Sequence, residues 1–379
     1  MQTGVAGMRR SAMVAISMAA LLLTAGPGRA QQVIKIGVIG PLTGPFAAGG
    51  QSQLSGAELR AKELNAAGGP FKIELLPQDD ASNCDQSVNA TVKLITQDKV
   101  VAILGALNSP CSLAMVPMTR RYKIPQFTTS VGASITKQGS PWVFRSAVGA
   151  AGQTAELARF TVQDLKQTKI AVAYSDDEYG ASMATGFKDA LAKLNVQPVD
   201  FNSFPRDDQD FTGQLTRIKA SGATTLYVVG AYTAAALYAR QAKQLGMDLQ
   251  LIGDTGNATP KYIELGGDAV NGAIVIEPFT PVDATPQVQA FVTAFRAQFG
   301  RDPDGWSAEM YDVVKMVHDG VAKAGKADPE AIRAYAAGLT AAAPFKGLLG
   351  DWAFDPTGEV VFSLYKVQIK NGQKVIIGH

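Results

Sequence analysis

"VIKIGVIGPLTG", residues 33–44, is an apolar run closed by a Gly-Pro step and a Thr-Gly turn. With no polar alternation, it has the pattern of a strand buried on both faces. The next stretch, "SQLSGAELRAKELNAAGG" (52–69), spaces its apolar residues at helical intervals and stops at Gly-Gly. "FKIELLPQDD" (71–80), "CDQSVNATVKLITQDK" (84–99), "VVAILGAL" (100–107), a helix over 112–122 and "IPQFTTS" (124–130) repeat the strand–helix alternation. Such a series predicts an α/β fold with a parallel central sheet covered by helices on both faces.

A second series begins near residue 153. Strands are expected at "KIAVAYSDD" (169–177), "QPVDFNSFP" (197–205), "TTLYVVGAY" (224–232), "LQLIGDTG" (249–256) and "GAIVIEPF" (272–279), with helices between them. Helices follow at roughly 286–299, 304–324 and 329–338, then a β-rich tail with a hairpin in "VVFSLYKVQIKNGQKVII". Two similar α/β units in series imply two Rossmann-like lobes with a cleft between them. In open α/β sheets small molecules bind at loops beyond the C-terminal strand ends. Here those loops are rich in Ser, Thr, Gly and Tyr. They hold no Walker lysine motif, Gly-x-Gly-x-x-Gly, Gly-x-Ser-x-Gly or His-Glu-x-x-His. Hydroxyls and backbone amides without acid–base pairs point to holding a ligand, not transforming it.

The first thirty residues read as an export signal. Arg9 and Arg10 precede an apolar run, and Gly28-Arg29-Ala30 fits the small-x-small cleavage pattern. The run is shorter than the roughly 20 residues needed to span a bilayer, and no cysteine follows it for lipid attachment. Cleavage after Ala30 removes three arginines and no acids, leaving 32 basic against 33 acidic residues and a net charge of −1. That balance argues against nucleic acid as a partner. A soluble, exported, periplasmic protein is expected.

Export bears on the two cysteines, Cys84 and Cys111. In an oxidising compartment a disulfide is their simplest state, with two free thiols as the alternative. A metal site is disfavoured because His318 and His379, the only histidines, lack ligand-pair spacing with them. A cysteine nucleophile would need a base, and His318 sits in "DVVKMVHDGVAKAG" (312–325), a helix whose surface accounts for it. No cofactor is indicated.

Taken in order, "IKIGVIGPLTGP", "GAELRAKELNAAGG", "DDAS", "YSDDEYG" and "ARQAKQLG" resemble ABC-transporter solute-binding proteins of the branched-chain amino-acid type. The resemblance covers essentially the whole mature chain. It implies a type I periplasmic binding fold: two lobes joined by three crossovers, closing like a hinge around a solute. Residues 31–149 with about 281–350 would form the N-terminal lobe, and 150–280 with about 351–379 the C-terminal lobe. The implied partners are a small carboxylate ligand and the permease and ATPase subunits of an importer, with the binding protein a monomer. Close relatives pair cysteines in the loops where Cys84 and Cys111 fall. A ligand-sensing receptor module and an exported hydrolase are the alternatives; neighbouring genes and turnover of bound ligand would discriminate them.

The resemblance also places the site. Ser109, and the loop from Thr128 through Ser130 to Gly132, would hold the solute carboxylate. Ser109 is expected to cap its helix, with Pro110 in the first helical position, so that free amides and the helix dipole favour an anion. Tyr179 and Tyr232 would close over the solute from the second lobe, and Arg145 would organise the lobe junction. Two departures stand out. Thr255 of "GDTG" occupies the place where amino-acid binders carry an acid for the ligand ammonium, with Asp254 one residue early. Gly49 stands where an aromatic wall is usual, leaving room for a larger ligand with Phe46 as a replacement wall. Together they suggest a carboxylate with a bulky side chain that need not carry an ammonium. An aromatic or α-keto acid fits this; leucine, isoleucine or valine remains open.

Overall fold

In the computed structural model, which describes residues 31–360 and 362–379, the opening apolar run forms strand β1 (Gln32–Gly40). It pairs in parallel with β2 (Phe71–Asp79) on one side and β3 (Ala102–Gly105) on the other. β4 (Gln126–Thr128) and β5 (Val143–Arg145) complete a five-stranded sheet in the order β2-β1-β3-β4-β5. Burial on both faces explains the unbroken apolar pattern of β1. The export signal lies outside the described residues.

The second sheet contains β6 (Ile170–Ser175), β7 (Asp200–Phe204), β8 (Thr225–Val229), β9 (Gln250–Gly253) and β10 (Ile274–Glu277). The hairpin of β13 (Tyr365–Lys370) and β14 (Gln373–Gly378) extends it, giving the order β14-β13-β10-β9-β8-β6-β7. β13 meets β10 antiparallel, whereas β6 to β10 are parallel. In each sheet the first strand lies between its two successors in the chain, so the strand order reverses there. Such a reversal opens a crevice at the C-terminal strand ends.

Helices α1 (Ala47–Ala66), α2 (Cys84–Lys93), α3 (Ser109–Tyr122) and α4 (Ser134–Lys137) belong to the first unit. The second carries α5 (Ala150–Arg159), α6 (Glu178–Lys193), α7 (Thr212–Ala220), α8 (Tyr232–Gln244) and α9 (Pro260–Gly266). After β10 the chain returns to the first sheet as α10 (Pro286–Phe299), α11 (Gly305–Ala324) and α12 (Pro329–Ala337). α11 crosses α1 where Gly56 would bring a Cβ to 2.0 Å from the Ser307 carbonyl oxygen, so the approach requires glycine. Asp304 starts α11 with a capping box: its carboxylate accepts from the Ser307 amide while the Ser307 hydroxyl accepts from the Asp304 amide. A short hairpin, β11 (Phe345–Gly347) and β12 (Gly350–Trp352), precedes the final passage to β13. The chain thus passes between the sheets three times: after β5, after β10 and after β12.

Cys84, the first residue of α2, is bonded to Cys111 of α3 with Cα atoms 4.3 Å apart. Cys111 is fully buried in a cluster with Ile39, Leu94, Ile103 and Met115. The bridge therefore ties the loop after β2 to the loop after β3. His318 packs its ring edge on Phe71 instead of approaching either sulfur. With the cysteines separated by 27 positions in the chain, loss of loop-closure entropy in the unfolded chain corresponds to about 3.5 kcal/mol. A Cys84→Ala/Cys111→Ala variant is expected to unfold at lower urea, with unfolding free energy reduced by about that amount; an unchanged midpoint would contradict it.

Candidate functional site

The loops after β1, β3 and β4 face those after β6, β8 and β9 across a cleft of about 580 Å³, counting space open to solvent. Phe46, Asn108, Ser109 and Thr129–Val131 line one side, and Asp177, Tyr179, Tyr232, Thr255 and Gly256 the other. Trp306, from the first turn of α11, closes the back.

α3 begins one residue earlier than its sequence suggests. Asn108 is the extended N-cap residue, and its carbonyl accepts from the Ser112 amide. Ser109 is therefore already helical and does not cap; Pro110 takes the second helical position. Freed from capping, the Ser109 hydroxyl accepts from the Gly132 amide at 3.1 Å, joining the two loops expected to form one grip. Asn108 is 8% exposed and its buried Oδ1 has no protein partner.

The hydroxyls of Ser112, Thr128 and Ser130 converge on the Ala106 carbonyl at 3.0, 2.9 and 3.0 Å. Thr128 thus lies behind the cleft, bracing the two loops. Ser130 lines the cleft, but its hydroxyl is shared among Ala106, Leu107 and Ser112. Thr129 lines it too, accepting from Gln53 Nε2 at 2.5 Å. Gly132 sits between lobes: a Cβ there would lie 2.9 Å from both Ser109 Cβ and Glu178 Cγ. Arg145 is fully buried outside the cleft. Its guanidinium donates to the Ser130 carbonyl, to the Gly132 carbonyl (2.8 Å) and to Glu359 Oε2 (2.8 Å).

On the other side, Asp177 caps α6 by accepting from the Gly180 amide at 2.9 Å, which sets Tyr179 at the cleft. The Tyr179 hydroxyl donates to Asp254 at 2.7 Å, Tyr227 donates to the same carboxylate at 2.6 Å, and the Gly256 amide at 2.7 Å. Asp254 is fully buried and does not line the cleft. Burial raises its pKa, opposed by these three hydrogen bonds. Burial first, and then the Asp254 charge, push both phenols well above their ordinary range, so they stay neutral donors. Only Thr255 and Gly256 of "GDTG" reach the cleft.

Tyr232, the first residue of α8, is 3% exposed and accepts from the Ala48 amide of the other lobe at 3.3 Å. Phe46 meets the Tyr232 ring edge-on at 6.4 Å and receives the Arg206 guanidinium 4.6 Å over its face. The space conceded by Gly49 is filled. A Cβ there would stand 2.6 Å from Leu107 Cδ2 and 3.0 Å from Trp306 Cζ3. Gly49 does not line the cleft, and Trp306 is the wall in its place. The Ala133 amide donates to Ser182 Oγ (3.0 Å) and the Ser134 amide to Glu178 Oε1 (3.1 Å), drawing the lobes together.

A two-lobed α/β chain with a hydroxyl- and aromatic-lined cleft between its sheets has the architecture of a hinged small-molecule binder. The family model for periplasmic binding proteins matches residues 33–374, and the chain belongs to that family. It is 30% identical over 339 residues to the leucine-, isoleucine-, valine-, threonine- and alanine-binding protein of Pseudomonas aeruginosa, covering 87% of this chain and 88% of the relative. The branched-chain amino acid transporter substrate-binding protein LivJ of Streptococcus pneumoniae, solved with isoleucine, superposes with a TM-score of 0.84 at 26% identity, covering 92% of this chain and all of LivJ. A solute-binding protein of Rhodopseudomonas palustris BisB5, solved with 3,4-dihydroxybenzoic acid, shares the fold at 24% identity and a TM-score of 0.83, covering 92% of this chain and 96% of its own.

The Asp254 cluster gives a stability test. Asp254→Ala leaves the buried Tyr179 and Tyr227 hydroxyls and the Gly256 amide without their acceptor, at a cost of roughly 3 kcal/mol in urea unfolding of ligand-free protein. An unchanged unfolding midpoint would show that the carboxylate does not hold this corner of the cleft.

Proposed function

We propose that this protein is the extracytoplasmic solute-binding component of an ABC importer, closing its two lobes on a small carboxylate solute and handing it to a membrane permease and ATPase. Residues 31–149 with about 281–350 would move against 150–280 with about 351–379. The export signal and the family support a periplasmic monomer that binds its solute without turning it over. The solute carboxylate would lie against the Ser109 hydroxyl, the amides opening α3 and the Thr129–Val131 loop, where the helix dipole favours an anion. Phe46, Tyr179, Tyr232 and Trp306 would enclose its side chain.

The preference between solute classes rests on one observation: Asp254 is enclosed by three donors, and Thr255 stands at the cleft. Asp177, the one carboxylate among the cleft-lining residues, is occupied in capping α6 and stands 3.8 Å from Arg206. Within the cleft itself an α-ammonium would therefore meet no free carboxylate; the Glu277 and Glu309 carboxyls lie past Thr255, in an adjoining cavity. Burying an unpaired ammonium costs several kcal/mol, on the order of a thousandfold in affinity. This favours an aromatic or α-keto acid over leucine, isoleucine or valine. The relatives span both chemistries, one solved with isoleucine and another with a hydroxylated benzoic acid.

Isothermal titration of ligand-stripped protein with leucine, phenylalanine and phenylpyruvate tests this reading. Phenylpyruvate is expected to bind most tightly, and submicromolar leucine binding with no response to the keto acid would overturn the preference. Ser109→Ala is expected to weaken the bound acid by about ten- to a hundredfold, the range for a hydrogen bond to a charged group. Unaltered affinity would remove Ser109 from the grip.

A further inference from the structure

Adjoining the solute cleft lies a second cavity of about 10 Å³, against about 60 Å³ for the cleft on the same measure, just room for one water-sized group. Thr129, Thr255 and Trp306 line both spaces, so the two adjoin through those three side chains. The rest of the small cavity includes three carboxyl side chains: Glu277, Asp304 and Glu309, exposed by only 1%, 3% and 2%.

These three are not equally engaged. Asp304 Oδ1 accepts from the Ser52 hydroxyl (2.5 Å) and from the Ser307 amide (3.1 Å) as part of its helix cap. Glu277 Oε2 accepts from Lys374 Nζ at 2.5 Å, and that ammonium also donates to the Ala258 carbonyl. The Thr280 hydroxyl lies close enough to Glu277 to lower its pKa, whereas Glu309 Oε2 is buried and has no partner in the protein. A buried polar oxygen left unpaired is costly, so Glu309 beside this small cavity calls for a hydrogen-bonding group inside it. Among the described residues no group of three such side chains is arranged to hold a metal ion.

We propose that this acid-lined cavity is a subsite for a hydrogen-bond-donating substituent of the solute, a hydroxyl or an amine, reaching past Thr255 and Trp306 to Glu309 and Glu277. The proposal rests on the carboxylate-solute reading and refines it. The carboxylate end is gripped at Ser109, and the polar substituent is read by the acids behind the cleft. Burial, then the nearby Asp304 charge, hold Glu309 well above the ordinary carboxylate range. A pKa shifted in that direction makes the carboxyl easier to protonate, so an ammonium that pairs with Glu309 releases whatever proton it carries, whereas a neutral hydroxyl releases none.

Calorimetric titration of the ligand-stripped mature protein with benzoate, meta-hydroxybenzoate, para-hydroxybenzoate and meta-aminomethylbenzoate tests the subsite, with phenylpyruvate as the reference acid. At least one donor-bearing acid is expected to bind about tenfold or more tighter than benzoate, the gain of one satisfied buried acceptor. That ratio should collapse in Glu309→Leu. Glu309→Gln, which keeps an acceptor oxygen and the volume, should retain a preference for hydroxyl and lose one for amine. It also serves if the leucine variant does not fold. Binding heats that vary with buffer ionisation would identify the amine, and buffer-independent heats the hydroxyl. Equal affinities for benzoate and its substituted forms, a ratio unchanged in Glu309→Leu, or an amine preference kept or a hydroxyl preference lost in Glu309→Gln, would overturn the subsite while leaving the carboxylate reading intact. Failure of phenylpyruvate and every benzoate to bind would instead overturn the aromatic-acid reading, and the subsite with it.

Discussion

The cleft depends on a buried cation that never reaches it. Arg145 ends β5 at the first crossover, fully enclosed, with its guanidinium on the carbonyls of Ser130 and Gly132 and on Glu359. A buried ion pair adds little net stability, because desolvation offsets its attraction. Its effect here is geometric. The carbonyls of the loop after β4 are fixed toward Arg145, and the Gly132 amide is presented to Ser109. Glu359 lies in the third passage between the sheets, so one cation ties the loop after β4 to that passage. The Cys84–Cys111 bridge holds the neighbouring loops from the other side.

The second lobe follows the same logic with the opposite sign. A buried carboxylate, Asp254, gathers two phenols and an amide, and so shapes the wall at Tyr179 and Gly256. Neither charge faces the solute. Apart from Asp177, which caps α6, the cleft surface presents hydroxyls, amides and aromatic rings. Opposite charges placed one layer back can position a site without competing for its ligand.

Much of this was legible in the chain. Uninterrupted apolar strands alternating with amphipathic helices gave the two sheets, and the late helices and terminal hairpin fall where their periodicity put them. Export made the cysteine pairing the simplest state, and Ser109, Tyr179 and Tyr232 do line the cleft. What escaped was long-range. Trp306 comes from a helix that returns to the first sheet, so nothing local to Gly49 announces that its space is taken. Thr128 and Ser130 are hydroxyls in the right loop, but only the position of the Ala106 carbonyl shows that both are engaged. Asn108 was within reach of sequence reasoning, since asparagine is a favoured helix N-cap residue and precedes Ser-Pro. The fate of Asp254 was not, because it rests on Tyr227, which the sheet brings in from the neighbouring strand β8.

The central claim is that the cleft grips a carboxylate at Ser109 and has no free carboxylate of its own for an α-ammonium, the acids past Thr255 lying in the adjoining cavity. A crystal structure of the protein with its as-purified solute tests it most directly. The account predicts a carboxylate at the opening of α3, enclosed by Phe46, Tyr232 and Trp306, with no ammonium beside Thr255. A leucine, isoleucine or valine molecule whose ammonium is bonded to Asp254 or Asp177 would contradict it.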